Sequence, residues 1–140
     1  MGCDATNEEA VKKIIRIKQR PSEKSFVVLV ASEKDILLYT AAPDLAVFDY
    51  LQSTAKPTTV IYEHALGLAE SACAKDGSVA IRICNEKFCS HLLNRFKKPI
   101  VSTSANISGD NSPENFSKIS EAIKRDLDYI VQYSERDAAL

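Results

Sequence analysis

The sequence predicts an α/β fold built on a substantially parallel or mixed sheet. Three observations lead there. Short apolar and β-branched runs alternate along the chain with segments of helical periodicity. A length of 140 residues suits one domain around one core. Hydrophobic residues make up 45% and charged residues 26%, an ordinary globular balance.

The elements follow in order. Thr6-Asn7-Glu8-Glu9 reads as a capping box with Thr6 as N-cap, opening a helix in which Val11, Ile14 and Ile15 share a face. That helix is expected to end near Ile17, because Pro21 lies just beyond. Phe26-Val27-Val28-Leu29-Val30 is a continuous apolar run, expected as a strand buried on both faces. Asp35 to Tyr39 fits either a short strand or a helical turn. Pro43-Asp44 opens a helix to about Ser53, with Leu45, Phe48 and Leu51 inward. Thr58 to Tyr62 is a β-branched strand, and Gly77 breaks the chain before another from Ser78 to Ile83. Asn85 can cap a helix through Phe96 that buries Phe88, Leu92 and Leu93. Ile100 to Ser104 is the next strand, Ile119 to Leu127 a helix, and Asp128 to Val131 a closing strand.

Charge and composition exclude several classes. Lys plus Arg is 18 against Asp plus Glu at 19, a net charge of -1, where a large nucleic-acid footprint would be strongly positive. A local basic run, Lys12 to Lys24, contrasts with that near-neutral whole. The four cysteines, Cys3, Cys73, Cys84 and Cys89, form no C-x-x-C pair, and His64 and His91 are remote from each other. This is not zinc-ligand spacing, and reduced thiols in a cytoplasmic protein are expected, with no tightly bound protein-ligated metal. No secretory leader, bilayer-length apolar run or repeat is legible, so no membrane partner is expected.

Three stretches carry polar groups that a core would not request. In Lys18-Gln19-Arg20-Pro21, the proline biases Arg20 toward an extended conformation. If Lys18 is extended too, Lys18 and Arg20 point to one side as a cationic clamp for phosphate or carboxylate. The alternative is a solvated basic helix end that complements its own dipole. Alternation in the 78–83 strand puts Ser78, Ala80 and Arg82 on one face, where a guanidinium needs either an anion or open water. Ser102, Ser104 and Asn106 alternate as well and can line a ligand, or they can serve local turn chemistry. There is no Walker loop, and four glycines cannot build a dinucleotide fingerprint.

Taken together, K-x-R-P at Lys18 to Pro21, V-A-I-R at Val79 to Arg82 and S-T-S-A-N-x-S-G at Ser102 to Gly109 resemble the YrdC-like family. The resemblance runs in order from Gly2-Cys3-Asp4-Ala5 to the Tyr129 segment. It implies a twisted open mixed sheet with flanking helices and a concave ligand-binding face. Residues 1–140 then form a single YrdC-like domain. Catalytic members of the TsaC type are L-threonylcarbamoyladenylate synthases. They convert L-threonine, bicarbonate and ATP to threonylcarbamoyl-AMP and pyrophosphate for tRNA modification, and a threonylcarbamoyl transferase complex uses the product.

By resemblance, Lys18, Arg20, Ser104 and Asn106 form the catalytic set around the nucleotide phosphates. Ser78 and Lys24 are further ATP contacts, while Arg82 and Ser102 hold threonine. Magnesium is expected with ATP, held largely by phosphate oxygens and water. The family has a strand segment before the Gly2 match and a further segment after the last strand, so the chain is expected to be shortened at both ends. A Pro-Gly-Pro-x-Thr element is reduced to Lys56-Pro57-Thr58-Thr59, and Leu29 stands where many members carry histidine. Intact Ser104 and Asn106 favour the synthase branch over the YciO-like branch. The alternative function is a non-catalytic module binding double-stranded RNA or tRNA through Lys12, Lys13, Arg16, Lys18 and Arg20.

Overall fold

The computed structural model describes residues 1–132. Its elements are β1 (Gly2–Asp4), α1 (Glu8–Lys18), β2 (Val27–Val30), α2 (Glu33–Tyr39), α3 (Ala46–Ser53), β3 (Thr59–Tyr62), β4 (Val79–Ile83), α4 (Lys87–Phe96), β5 (Ile100–Ser102) and α5 (Glu121–Asp126). Short 3-10 turns span Glu70–Ala72 and Phe116–Lys118. The five strands form one open sheet in the order β1-β5-β2-β4-β3. β2 and β4 are parallel, while the other neighbours are antiparallel, so the sheet is mixed with flanking helices.

Register divides the side chains between two faces. Val28, Val30, Val79, Ile81 and Val101 are buried and share a core with Val11, Ile14 and Ile36 of the helices. Burying each such Val or Ile is worth about 1.5–3 kcal/mol. The other face carries two cross-strand rows. One runs Gly2, Ser102, Val27, Ala80, Ile61; the next runs Asp4, Ile100, Leu29, Arg82, Thr59. This face is only half covered along β2, β4 and β5. The expectation that the Phe26–Val30 run is buried on both sides therefore fails for Val27 and Leu29.

Several boundaries differ from expectation for local reasons. The Thr6 hydroxyl and backbone N–H both donate to Asp4 Oδ1, at 2.7 and 2.8 Å, so Thr6 is not free to cap α1. Asn7 caps it instead, accepting from the Ala10 N–H at 3.1 Å. Residues 35 to 39 are helical because Ser32 and Asp35 form a reciprocal capping box at the start of α2. Asp44 accepts from the Ala46 N–H, so α3 begins after Leu45, which is 65% exposed, while Phe48 and Leu51 pack on the core. Glu86 rather than Asn85 caps α4, and its carboxylate accepts from the N–H groups of Phe88 and Cys89. Within α4 Leu93 is buried, but Leu92 is exposed.

At the ends of the sheet the differences are larger. β5 stops at Ser102, two residues sooner than expected. Residues 128 to 131 form no strand. Asp128 reaches Lys13 of α1 at 2.6 Å as an exposed ion pair, and Tyr129 is 77% exposed. β1 was not expected, since Gly-Cys-Asp lacks β-branched residues. Gly2 is nevertheless suited to this edge, because a Cβ there would sit 2.6 Å from the Val101 carbonyl oxygen. Among the described residues, no helix is long and apolar enough to cross a membrane.

Candidate active site

β2, β4, β5 and the chain leaving α1 converge on an open groove of about 490 Å³ on the half-covered face. Arg20, Ser25, Phe26, Val27, Ala80, Arg82, Ser102, Thr103 and Ser104 line it. Two guanidinium groups and four hydroxyl side chains thus meet one space, and none of the nine is acidic. Such a lining suits an anionic ligand.

Arg20 owes its position to the way α1 ends. Gln19 adopts left-handed geometry (φ 50°), and the N–H groups of Gln19 and Arg20 close onto the carbonyls of Arg16 and Ile15. Arg20 Nη2 then donates to the Ser25 carbonyl at 2.7 Å, with the guanidinium stacked 4.5 Å over the Phe26 ring. Burial pulls its pKa below the ordinary guanidinium value, and its Nε is buried without a hydrogen-bond acceptor.

Lys18 is placed differently. It is the last helical residue of α1, not extended, so no parallel Lys18–Arg20 clamp forms. Its side chain is 1% exposed, and its ammonium donates to the carbonyls of Ser104 and Asn106 at 2.7 and 2.8 Å. In return, the Ser108 N–H donates to the Lys18 carbonyl at 2.7 Å. Burial, and secondarily the charge of Arg20, lowers the Lys18 pKa. Lys18 therefore fastens the 104–108 loop from beneath.

Arg82 stands in the groove with its Nε donating to Thr59 Oγ1 at 2.8 Å. Ser102 and Ser104 both line the groove, joined by Thr103. Asn106 lies outside that lining. Its amide nitrogen donates to the carbonyls of Ile107 and Asp110, and its Oδ1 is buried without a partner. Ser78 shares the β4 face of Arg82 but also lies beyond the groove, its hydroxyl donating to Asp76 at 2.6 Å. Lys24 is exposed on the turn before β2. The structure thus brings Arg20, Arg82, Ser102 and Ser104 together, places Lys18 and Asn106 behind them, and leaves Ser78 and Lys24 apart.

Sequence reasoning missed Ser25, Phe26, Thr103 and Thr59. Thr59 ends the reduced Lys56-Pro57-Thr58-Thr59 element but was not assigned to the site, although it is a hydroxyl on a strand adjoining the one that carries Arg82. Nothing in the spacing marked Ser25, which acts through its backbone carbonyl.

Comparison with known proteins agrees with this architecture. The Sua5_yciO_yrdC family model, described as telomere recombination, matches residues 1–139. A threonylcarbamoyl-AMP synthase from Pseudoalteromonas translucida is 28% identical over 134 residues, covering 94% of this chain and 72% of that protein. One from Saccharophagus degradans is 34% identical over 112 residues, covering 78% of this chain and 58% of that protein. P. abyssi Sua5, solved in complex with L-threonine, superposes with a TM-score of 0.79 at 24% identity, over 86% of this chain and 36% of that one. At that identity the superposition speaks for the fold.

Proposed function

Because this chain belongs to the Sua5/YciO/YrdC family, we propose that it joins L-threonine, bicarbonate and ATP into threonylcarbamoyl-AMP and pyrophosphate. The observation that carries this reading is the groove itself. It holds two guanidinium groups, four hydroxyl side chains and no carboxylate. A reaction whose three substrates are all anionic at one end or throughout needs such a lining.

In this reading threonine's amine and bicarbonate form a carbamate with loss of water. A carbamate oxygen then attacks the α-phosphorus of ATP, and pyrophosphate leaves. No covalent nucleophile from the protein is required, so the work is positioning and charge stabilisation. Arg82 takes the threonine carboxylate, with the Ser102 hydroxyl beside it. Arg20 neutralises charge on the phosphates, and the Ser104 hydroxyl orients a phosphate oxygen. Each charge-assisted bond of this kind is worth about 1.5–3 kcal/mol. Lys18 and Asn106 shape the loop that presents Ser104, while Ser78 and Lys24, which lie outside the groove, would meet the nucleotide only where it extends beyond that lining. Magnesium would come with the triphosphate, held by phosphate oxygens and water, since the groove's lining offers no carboxylate to hold it.

The product is a mixed anhydride, an activated carbamoyl donor. Its use by a threonylcarbamoyl transferase on tRNA in the cytoplasm completes the proposal. The test is pyrophosphate release from ATP and magnesium, with threonine and bicarbonate omitted one at a time. Release that requires both is the expected result. Release that ignores either one, or none from a folded sample, refutes the reading.

A further inference from the structure

Arg82 and Thr59 sit opposite each other in the antiparallel β3–β4 pair, both on the half-covered face of the sheet. The Thr59 hydroxyl oxygen accepts the Arg82 Nε–H at 2.8 Å. Among the described residues, the two terminal nitrogens of the same guanidinium meet no acceptor, and Arg82 lines the groove. One edge of the fork is held and the other is open. An arginine side chain has four rotatable bonds, and a free one must be ordered by its ligand at an entropic cost. Here the strand neighbour does that ordering before any ligand arrives.

The geometry points to Thr59 as a positioning residue that presets the Arg82 fork for a carboxylate. This rests on the proposed reading, in which Arg82 receives the carboxylate of threonine. Thr59 lies on the edge strand β3, so its own backbone is not needed to hold a further strand on its outer side. Its β-branched shape suits the strand, and the hydroxyl supplies the contact. A threonine kept only for strand propensity is replaceable by valine; one that aims Arg82 is not.

The test compares Thr59→Val and Thr59→Ser in pyrophosphate release with L-threonine varied. Valine keeps the shape and removes the acceptor. We expect it to raise the KM for threonine about two- to twelvefold, what one hydrogen bond is worth at a site open to solvent, with kcat within about twofold. Serine restores the wild-type KM. In an Arg82→Ala background, Thr59→Val leaves kcat/KM unchanged, because its effect passes through the absent guanidinium. An unchanged KM in Thr59→Val, or an equal loss with and without Arg82, overturns the inference.

A second readout does not depend on turnover. The Arg82 Nε–H signal, identified in nitrogen-resolved NMR by its loss in Arg82→Ala, exchanges with solvent roughly tenfold faster in Thr59→Val. Wild-type protein that releases no pyrophosphate sinks the synthase reading and leaves this signal to decide. Faster exchange then upholds the Thr59 contact, and unchanged exchange overturns it.

Discussion

The ammonium of Lys18 lies 2.7 Å from the carbonyl oxygen of Ser104, a contact that spans 86 positions of sequence. A second bond of 2.8 Å reaches the carbonyl of Asn106. A carbonyl left without a donor costs up to about 1–3 kcal/mol where water cannot replace it, and Lys18 satisfies two partly buried ones at once. The charge stays inside because those dipoles replace water around it.

Lys18→Met is therefore expected to lose roughly 2–4 kcal/mol of stability while keeping the methylene stem in place. The Ser108 N–H, bonded to the Lys18 carbonyl, reports the loop directly. Chemical denaturation measures the first effect and hydrogen exchange at Ser108 the second. Unchanged exchange at Ser108 would show that the lysine does not fasten this loop.

Glu8 sets a pH dependence of predictable sign. The Ser71 hydroxyl, foremost, and the Ser71 backbone N–H at 3.2 Å hold its carboxyl below the ordinary 4.5, against a weaker opposing effect of burial. A carboxylate with a depressed native pKa adds stability above its unfolded value and loses it as pH falls through the native one. Glu8→Gln should cost about 1 kcal/mol at neutral pH, since the site is partly solvated, and should flatten the stability curve below pH 4.5. Thermal melts from pH 7 to pH 3 check it. A slope identical to wild type refutes the assignment.

Two of the thiols are expected to be sluggish. Burial, then hydrogen bonding with Glu86, pushes Cys89 up to about 12. Burial and the charge of Asp4 push Cys3 up to about 11. The thiolate is the reactive form, so at pH 8 only on the order of 0.01% of Cys89 is available. Maleimide labelling of the native protein followed by mass spectrometry should show Cys89 modified at least about a hundredfold more slowly than in urea. Rapid native labelling of Cys89 would contradict its placement.

How much of this was legible depends on the range over which each residue is determined. β2, β3 and β4 were read from local β-branched runs, and Arg82 from the oddity of a guanidinium inside one. Lys18 was singled out as a residue of interest, but its direction was not legible. That direction follows from a left-handed Gln19 and from carbonyls more than 80 positions away. Likewise β1 exists because β5 offers an edge and Gly2 tolerates the Val101 carbonyl, neither of which three residues announce. The expected strand at 128–131 had a plausible apolar core, but among the described residues no strand of the sheet pairs with it.

Arg20 and Arg82 should separate in kinetics. They line one groove, yet Arg20 is braced by the Ser25 carbonyl and the Phe26 ring, and Arg82 by Thr59 across the sheet. If Arg20 meets phosphate and Arg82 meets the amino acid, each alanine variant should raise the KM of its own ligand. A fork bonded to a carboxylate or phosphate is worth on the order of a hundredfold. Arg82→Ala is expected to raise the KM for threonine by that factor and leave the KM for ATP within about threefold; Arg20→Ala should do the reverse. Arg20→Ala also loses the Ser25 bond and the stacking on Phe26, the latter about 0.5–1 kcal/mol, so its melting temperature falls slightly. Two variants that both raise the KM for ATP alone would mean that Arg82 is a second phosphate ligand, and the amino-acid end of the groove would then have to lie elsewhere.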